Sequence, residues 1–269
     1  MLWPFILLIL LAALYLFLIF PARPSRSMRA PFEKRNYAHR GLYTLDQTVP
    51  ENSLPAFRRA VEAGYGAELD VQLTKDNQVV VLHDDDLKRA CGRDGGVCDY
   101  TFAELQAFPL FGTGERIPLF ADVLKIFDGR QPLIVELKSA APNTPALCEA
   151  VRKMLAEYAG PACVESFSPE VVRFFRLHDP DRLRGQLSQA ACFWKGSLSF
   201  AQGYALSRLL LNFRARPHFI AYGIGPKPLP VRLCECLGAM SVCWTARKEA
   251  DHARLLQEND AVIFEGYEP

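Results

Sequence analysis

Short apolar runs alternate along this chain with longer stretches in which apolar positions recur at helical spacing. Nine runs read as strands: residues 37–39, 67–73, 79–83, 133–137, 162–167, 183–187, 219–224, 241–245 and 261–265. Amphipathic stretches such as 54–63 and 145–158 separate most of them, which predicts a parallel α/β protein. One connection breaks the rhythm, because only about five residues around Lys75-Asp76-Asn77 join the second run to the third. A parallel crossover needs about a dozen residues, so these two runs predict an antiparallel hairpin. Setting the returning strand aside leaves eight, the count of a (β/α)₈ TIM barrel whose active site lies at the C-terminal ends of its strands.

Residues 2–20 stand apart as an apolar run with one proline and no charged side chain. The run is just long enough to cross a hydrocarbon core, and it predicts one N-terminal transmembrane helix within residues 1–20. A cleaved signal peptide would want a basic start, a shorter apolar stretch and a small-residue cleavage site, none of which is clear. Arg23, Arg26, Arg29, Lys34, Arg35 and Arg40 then stand against Glu33 alone. That excess after the span places the C-terminal body on the cytoplasmic side of a membrane. Residues 21–35 read as a basic Pro/Arg linker and residues 36–269 as the barrel.

Composition acts mainly by exclusion. Half the residues are hydrophobic, too many for a disordered chain, and 31 basic against 30 acidic side chains leave no global field for nucleic acid. Eight cysteines are scattered, and no second pair at zinc spacing joins Cys91 and Cys98, so free thiols are expected.

Ionisable residues collect at the strand ends. The first strand closes on His39-Arg40-Gly41, the second carries Glu68 and Asp70, the hairpin returns to His83-Asp84, and the next barrel strand carries Glu136 and Lys138. Residues i and i+2 of a strand share a face, so three carboxylates would crowd one mouth. Crowded carboxylates stay ionised beside a bound cation or paired basic groups, and among metals oxygen ligands suit Mg²⁺ or Ca²⁺ better than zinc. Asp85 and Asp86 read as a solvated loop, with Asp84 orienting His83, while His178, His218 and His252 read as surface residues. Ser166 and Ser168 lack the Gly-x-Ser-x-Gly elbow of a serine nucleophile.

His39-Arg40-Gly41, Pro50-Glu51-Asn52-Ser53 with Ala56-Phe57, Glu68-Leu69-Asp70-Val71, Thr74, Asp76, His83-Asp84, Leu87, Arg89, Glu136-Leu137-Lys138, Ser166-Phe167 and Trp244-Thr245 follow in order. This set resembles the glycerophosphodiester phosphodiesterases from about Asn36 onward. The resemblance implies a barrel with the same hairpin, and a divalent metal on Glu68, Asp70 and Glu136, with His83 sometimes added. It implies His39 and His83 as the acid/base pair, Arg40 and Lys138 as phosphate contacts, Glu51 and Asn52 as a polar pair lining the site, and Trp244 as a wall. The expected reaction is hydrolysis of glycerophosphodiesters to sn-glycerol 3-phosphate and an alcohol. A membrane-associated lysophospholipase D and a non-catalytic membrane-tethered barrel stay open as rivals. One departure is visible: Phe264-Glu265 stands where the family usually closes with Thr-Asp.

Overall fold

All nine expected strands are present in the computed structural model, which describes residues 2–194, 198–248 and 250–269. They are β1 (Arg35–His39), β2 (Gly66–Leu73), β3 (Val79–Val81), β4 (Leu133–Leu137), β5 (Ala162–Ser166), β6 (Arg184–Ser188), β7 (Phe219–Gly223), β8 (Met240–Ala246) and β9 (Ala261–Phe264). Neighbours run β1-β9-β8-β7-β6-β5-β4-β2, all parallel, and β1 pairs with β2 to close an eight-stranded barrel. β3 returns antiparallel on β2 with Val71 opposite Val81, as the five-residue connection demands.

The barrel strands are covered on both faces, so they read as nearly continuous apolar runs, and all eight residues of β2 are buried. The helix Leu54–Glu62 shows how the outer layer is set. Ser53 caps it by accepting from the Ala56 N–H, and Ala56, Phe57, Ala60 and Val61 recur at helical spacing to face the strands. Inside the barrel's N-terminal half, Tyr37, Ile134, Phe219, Met240 and Ile263 form a second core. Gly185 makes room for it, because a Cβ there would lie 2.0 Å from the Phe219 ring.

Residues 21–35 lie across the N-terminal end of the barrel and do not stand off from it. Phe32 is buried in the inner core, Lys34 donates to the Leu256, Gln257 and Asn259 carbonyls, and Arg29 pairs with Asp260. Among the histidines expected at the surface, His178 is exposed but His218 is not. It is buried beside Arg184, and burial pushes its imidazole down to about 4, so it packs as a neutral ring.

The leader also departs from expectation. It forms α1 (Trp3–Ile19), 17 residues or about 25 Å, short of the roughly 30 Å that a spanning helix must cover. No helix among the described residues is long and apolar enough to cross a membrane. The physical reason is that its last turn belongs to the body: Ile19 is buried, and its carbonyl accepts from Asn212 and Cys234.

Gly185→Ala forces a methyl group into the fixed Phe219 ring. The expected cost is about 1–3 kcal/mol, read as a thermal midpoint lower by about 5 °C; an unchanged midpoint would show that the inner core yields.

Candidate active site

The C-terminal end of β1 turns sharply. Arg40 and Gly41 both adopt left-handed backbone conformations, and a Cβ on Gly41 would meet that of Ala56 at 2.9 Å, so only glycine fits against the helix that follows. Asn52, also left-handed, donates its N–H to the Arg40 carbonyl at 2.8 Å. Two non-glycine residues held in this region mark a backbone over-determined by its surroundings. The effect is to swing the Arg40 side chain back over β2.

There it meets buried acids. Asp70, Glu136 and Glu165 occupy register-matched positions on the adjacent strands β2, β4 and β5, with Glu68 two residues below Asp70. One carboxylate oxygen from each of Glu68, Asp70 and Glu136 lies within 4.8 Å of the others, and all three residues are buried. Lys138 reaches Asp70 at 2.8 Å and Glu136 at 2.9 Å. Arg40 donates its backbone N–H to Glu68, and its Nε lies 3.7 Å from Asp70.

Four buried carboxylates thus share two half-buried cations. Burial, followed by the charges of Asp70 and Glu136, pushes Glu68 well above the usual carboxylate range; burial followed by Glu136 and Asp70 does the same to Glu165. Burial also raises Glu136, against the pull of Lys138. Asp70 goes the other way: burial opposes its ionisation, but Lys138, His83 and Arg40 outweigh that cost. The donor set, all carboxylate oxygen and short of positive charge by about two, fits one divalent hard cation.

Two imidazoles face this cluster, each tethered through Nδ1. His39 Nδ1 pairs with Glu265 Oε2 at 2.6 Å, leaving Nε2 directed toward Glu68 at 3.8 Å. Burial holds His39 below its ordinary value, with the bond to Glu265 opposing, so a neutral ring donates from Nδ1. His83 Nδ1 pairs with Asp84 at 2.7 Å, as expected of Asp84, which is gripped in turn by Arg89. Asp85 and Asp86 stay outside the acid cluster, and Asp86 accepts from the Lys88 N–H.

A cavity of about 350 Å³ opens above these groups. His39, Arg40, Glu68, His83, Glu136 and Glu165 form its polar side, and Phe167, Leu187, Trp244 and Ile263 its apolar side. Trp244 and Trp194 each pack edge-on against Phe167. Glu51 and Asn52 sit behind the cavity. Glu51 accepts from Arg40 at 2.7 Å and from Arg89 at 2.6 Å, and Asn52 donates to Asp70 at 2.8 Å, so the pair braces groups that face the cavity.

Sequence reasoning missed Glu165 and the role of Glu265. A lone acid inside an apolar strand was the available signal for the first, the same signal that Glu136 gave. In the sequence Glu265 reads only as a departure at barrel closure; in the structure it is the partner of His39 and also bonds Tyr43 and Arg247.

Comparisons with known proteins show the family and the fold. The model of the "Glycerophosphoryl diester phosphodiesterase family" matches residues 39–265. A glycerophosphodiester phosphodiesterase of Caldanaerobacter subterraneus is 30% identical over 239 residues, covering 84% of this chain and 91% of that protein. A lysophospholipase D of Homo sapiens is 36% identical over 132 residues, 49% of this chain and 40% of that protein. Among solved structures, an Oleispira antarctica phosphodiesterase in complex with the product sn-glycerol-3-phosphate superimposes with a TM-score of 0.70. It is 21% identical, with 88% of this chain and 95% of that one covered, a likeness of fold.

His39 and the Arg247 ion pair hold the Glu265 carboxyl down to about 2, against the burial that would raise it. A depressed carboxylate contributes stability above its unfolded value, near 4.5, that is lost as pH falls toward 2. Glu265→Gln should therefore be less stable to urea than the parent at pH 7, with the gap narrowing between pH 5 and pH 2. A gap independent of pH would mean that the ionised carboxylate contributes nothing.

Proposed function

This chain belongs to the glycerophosphoryl diester phosphodiesterase family and is a phosphoric diester hydrolase, and we propose that it cleaves glycerophosphodiesters to sn-glycerol 3-phosphate and an alcohol by metal-assisted His/His acid–base chemistry. The observation that carries the reading is the approach of His39 Nε2 to a carboxylate trio that is itself paired with Arg40 and Lys138.

Glu68, Asp70 and Glu136 would hold one divalent cation, Mg²⁺ or Ca²⁺, with His83 as a further ligand in reserve; the ion supplies neutralisation of the non-bridging phosphate oxygens. Arg40 offers the phosphate a planar fork of donors, held on its other edge by Glu51, and Lys138 adds a point charge. His39 donates from Nδ1 to Glu265, so its Nε2 carries the lone pair suited to take the nucleophile's proton. His83, with Asp84 at Nδ1, is the matching group to protonate the leaving oxygen from Nε2. Trp244 and Phe167 form the apolar wall against which the carbon skeleton of the substrate rests.

Lysophospholipase D action is the second reading. The apolar half of the cavity favours it, as do mammalian relatives bearing that name. A non-catalytic barrel is disfavoured because no histidine or acid of the set is missing. The body is proposed to lie on the cytoplasmic side, where its free thiols would stay reduced. Residues 36–269 are proposed as the catalytic unit, with residues 21–35 seated against it.

The deciding assay is product release from glycerophosphocholine and from lysophosphatidylcholine, each with and without EDTA. Chelator-sensitive glycerol phosphate from the soluble diester supports the main reading, and choline from the lysolipid alone supports the second. His39→Ala and His83→Ala should each lower kcat by about 10²–10⁴-fold with the fold intact by circular dichroism. Turnover near that of the parent in either variant sinks the mechanism. Glu68→Gln combined with Asp70→Asn should weaken Mn²⁺ or Ca²⁺ binding by at least about tenfold in calorimetry; unchanged affinity would assign the metal to other ligands.

A further inference from the structure

The chemistry above leaves one feature unused, a set of large apolar side chains left bare on the mouth side of the barrel. Leu45 lies in the connection after β1, Phe193 and Phe200 after β6, and Ile224 and Leu229 after β7, and all are exposed. Connections that leave the C-terminal ends of the strands surround the end that holds the acid cluster.

α1 points the same way. Its last residues are tied near the N-terminal end of β7, where Arg216 donates to the Phe17 and Phe20 carbonyls and the Ala22 N–H meets Pro217. Four residues earlier, Tyr15 packs against the cluster of Leu209, Ile220 and Tyr222, the last of these next to the C-terminal residue of β7. The helix therefore climbs toward the mouth, and residues 2–14 are all exposed.

The occupant follows from the distribution of apolar surface. A protein groove covers one face of a helix, but α1 has no polar face: no charged residue occurs from Leu2 to Phe20. Only a medium apolar in every direction covers it, which is hydrocarbon. The exposed segment of 13 residues spans about 20 Å, enough to enter one leaflet of about 15 Å. The other apolar tips are isolated on three separate loops, the arrangement of anchors inserted among headgroups. Arg208, exposed over the Tyr204 ring in the connection after β6, complements lipid phosphates.

We propose that the protein docks mouth-down on a lipid bilayer, with α1 in the facing leaflet and the loop tips at headgroup level. A lysophospholipid whose acyl chain stays in the bilayer then presents its phosphodiester directly to the cavity. The substrate half of this inference rests on the phosphodiesterase reading; the docking half does not.

Two exposed cysteines allow the test. Cys192 sits beside Phe193, whereas Cys236 ends the helix Leu229–Cys236 after it has returned toward the N-terminal end of the barrel. The full chain, as Cys236→Ser or Cys192→Ser, is labelled with a thiol fluorophore and mixed with phosphatidylcholine/phosphatidylglycerol vesicles carrying nitroxide lipid. Severalfold stronger quenching in the Cys236→Ser chain, which keeps Cys192, is expected; equal or absent quenching overturns the orientation. In parallel, the triple variant Phe193→Ser, Phe200→Ser, Leu229→Ser should hydrolyse soluble glycerophosphocholine like the parent but vesicle-borne lysophosphatidylcholine about tenfold more slowly. Equal rates on both substrates overturn the role of the tips. A parent chain inactive on both substrates sinks the phosphodiesterase reading instead, and the quenching still decides docking.

Discussion

Four carboxylates buried at one end of a barrel against two half-buried cations are the constraint on which the rest of this structure turns. Taking that much like charge out of water is costly, and the protein offsets it with a supporting frame. Arg40 is bent over the acids by a left-handed turn, Glu51 and Arg89 hold it there, Asn52 braces Asp70, and Lys138 bridges two carboxylates. What is left over is a deficit of positive charge. Burial raises the carboxyls of Glu68, Glu136 and Glu165 toward their neutral forms in the protein alone, and a divalent cation would offset the deficit by keeping them ionised.

The same end of the barrel is divided in its surface chemistry. Strands β1, β2, β4 and β5 and the end of the β3 hairpin contribute the ionic side of the cavity, whereas Leu187 at the end of β6, Ile263 of β9 and Trp244 of β8 contribute the apolar side. A phosphodiester with a polar centre and a carbon skeleton is divided in the same sense, so the cavity orients it without needing many specific contacts.

Much of this was legible in the sequence because buried parallel strands tolerate few charges. Glu68, Asp70 and Glu136 stood out against apolar neighbours, and the short connection at Lys75-Asp76-Asn77 marked the hairpin. What failed depended on contacts distant in sequence. The stretch 2–20 reads as a span until Asn212 and Cys234 are seen to claim the Ile19 carbonyl. His218 looks polar in context, yet the fold buries it beside Arg184. Glu265 read as an irregularity of closure because its partner lies 226 residues earlier.

That separation has a consequence for how the protein comes into being. β1 is the first strand to be synthesised and β9 the last, and they pair only when the barrel closes. The carboxylate that pairs with His39 directly follows β9, so any form that lacks this strand has an unanchored imidazole and an open seam. Formation of the His39–Glu265 pair thereby coincides with closure of the barrel.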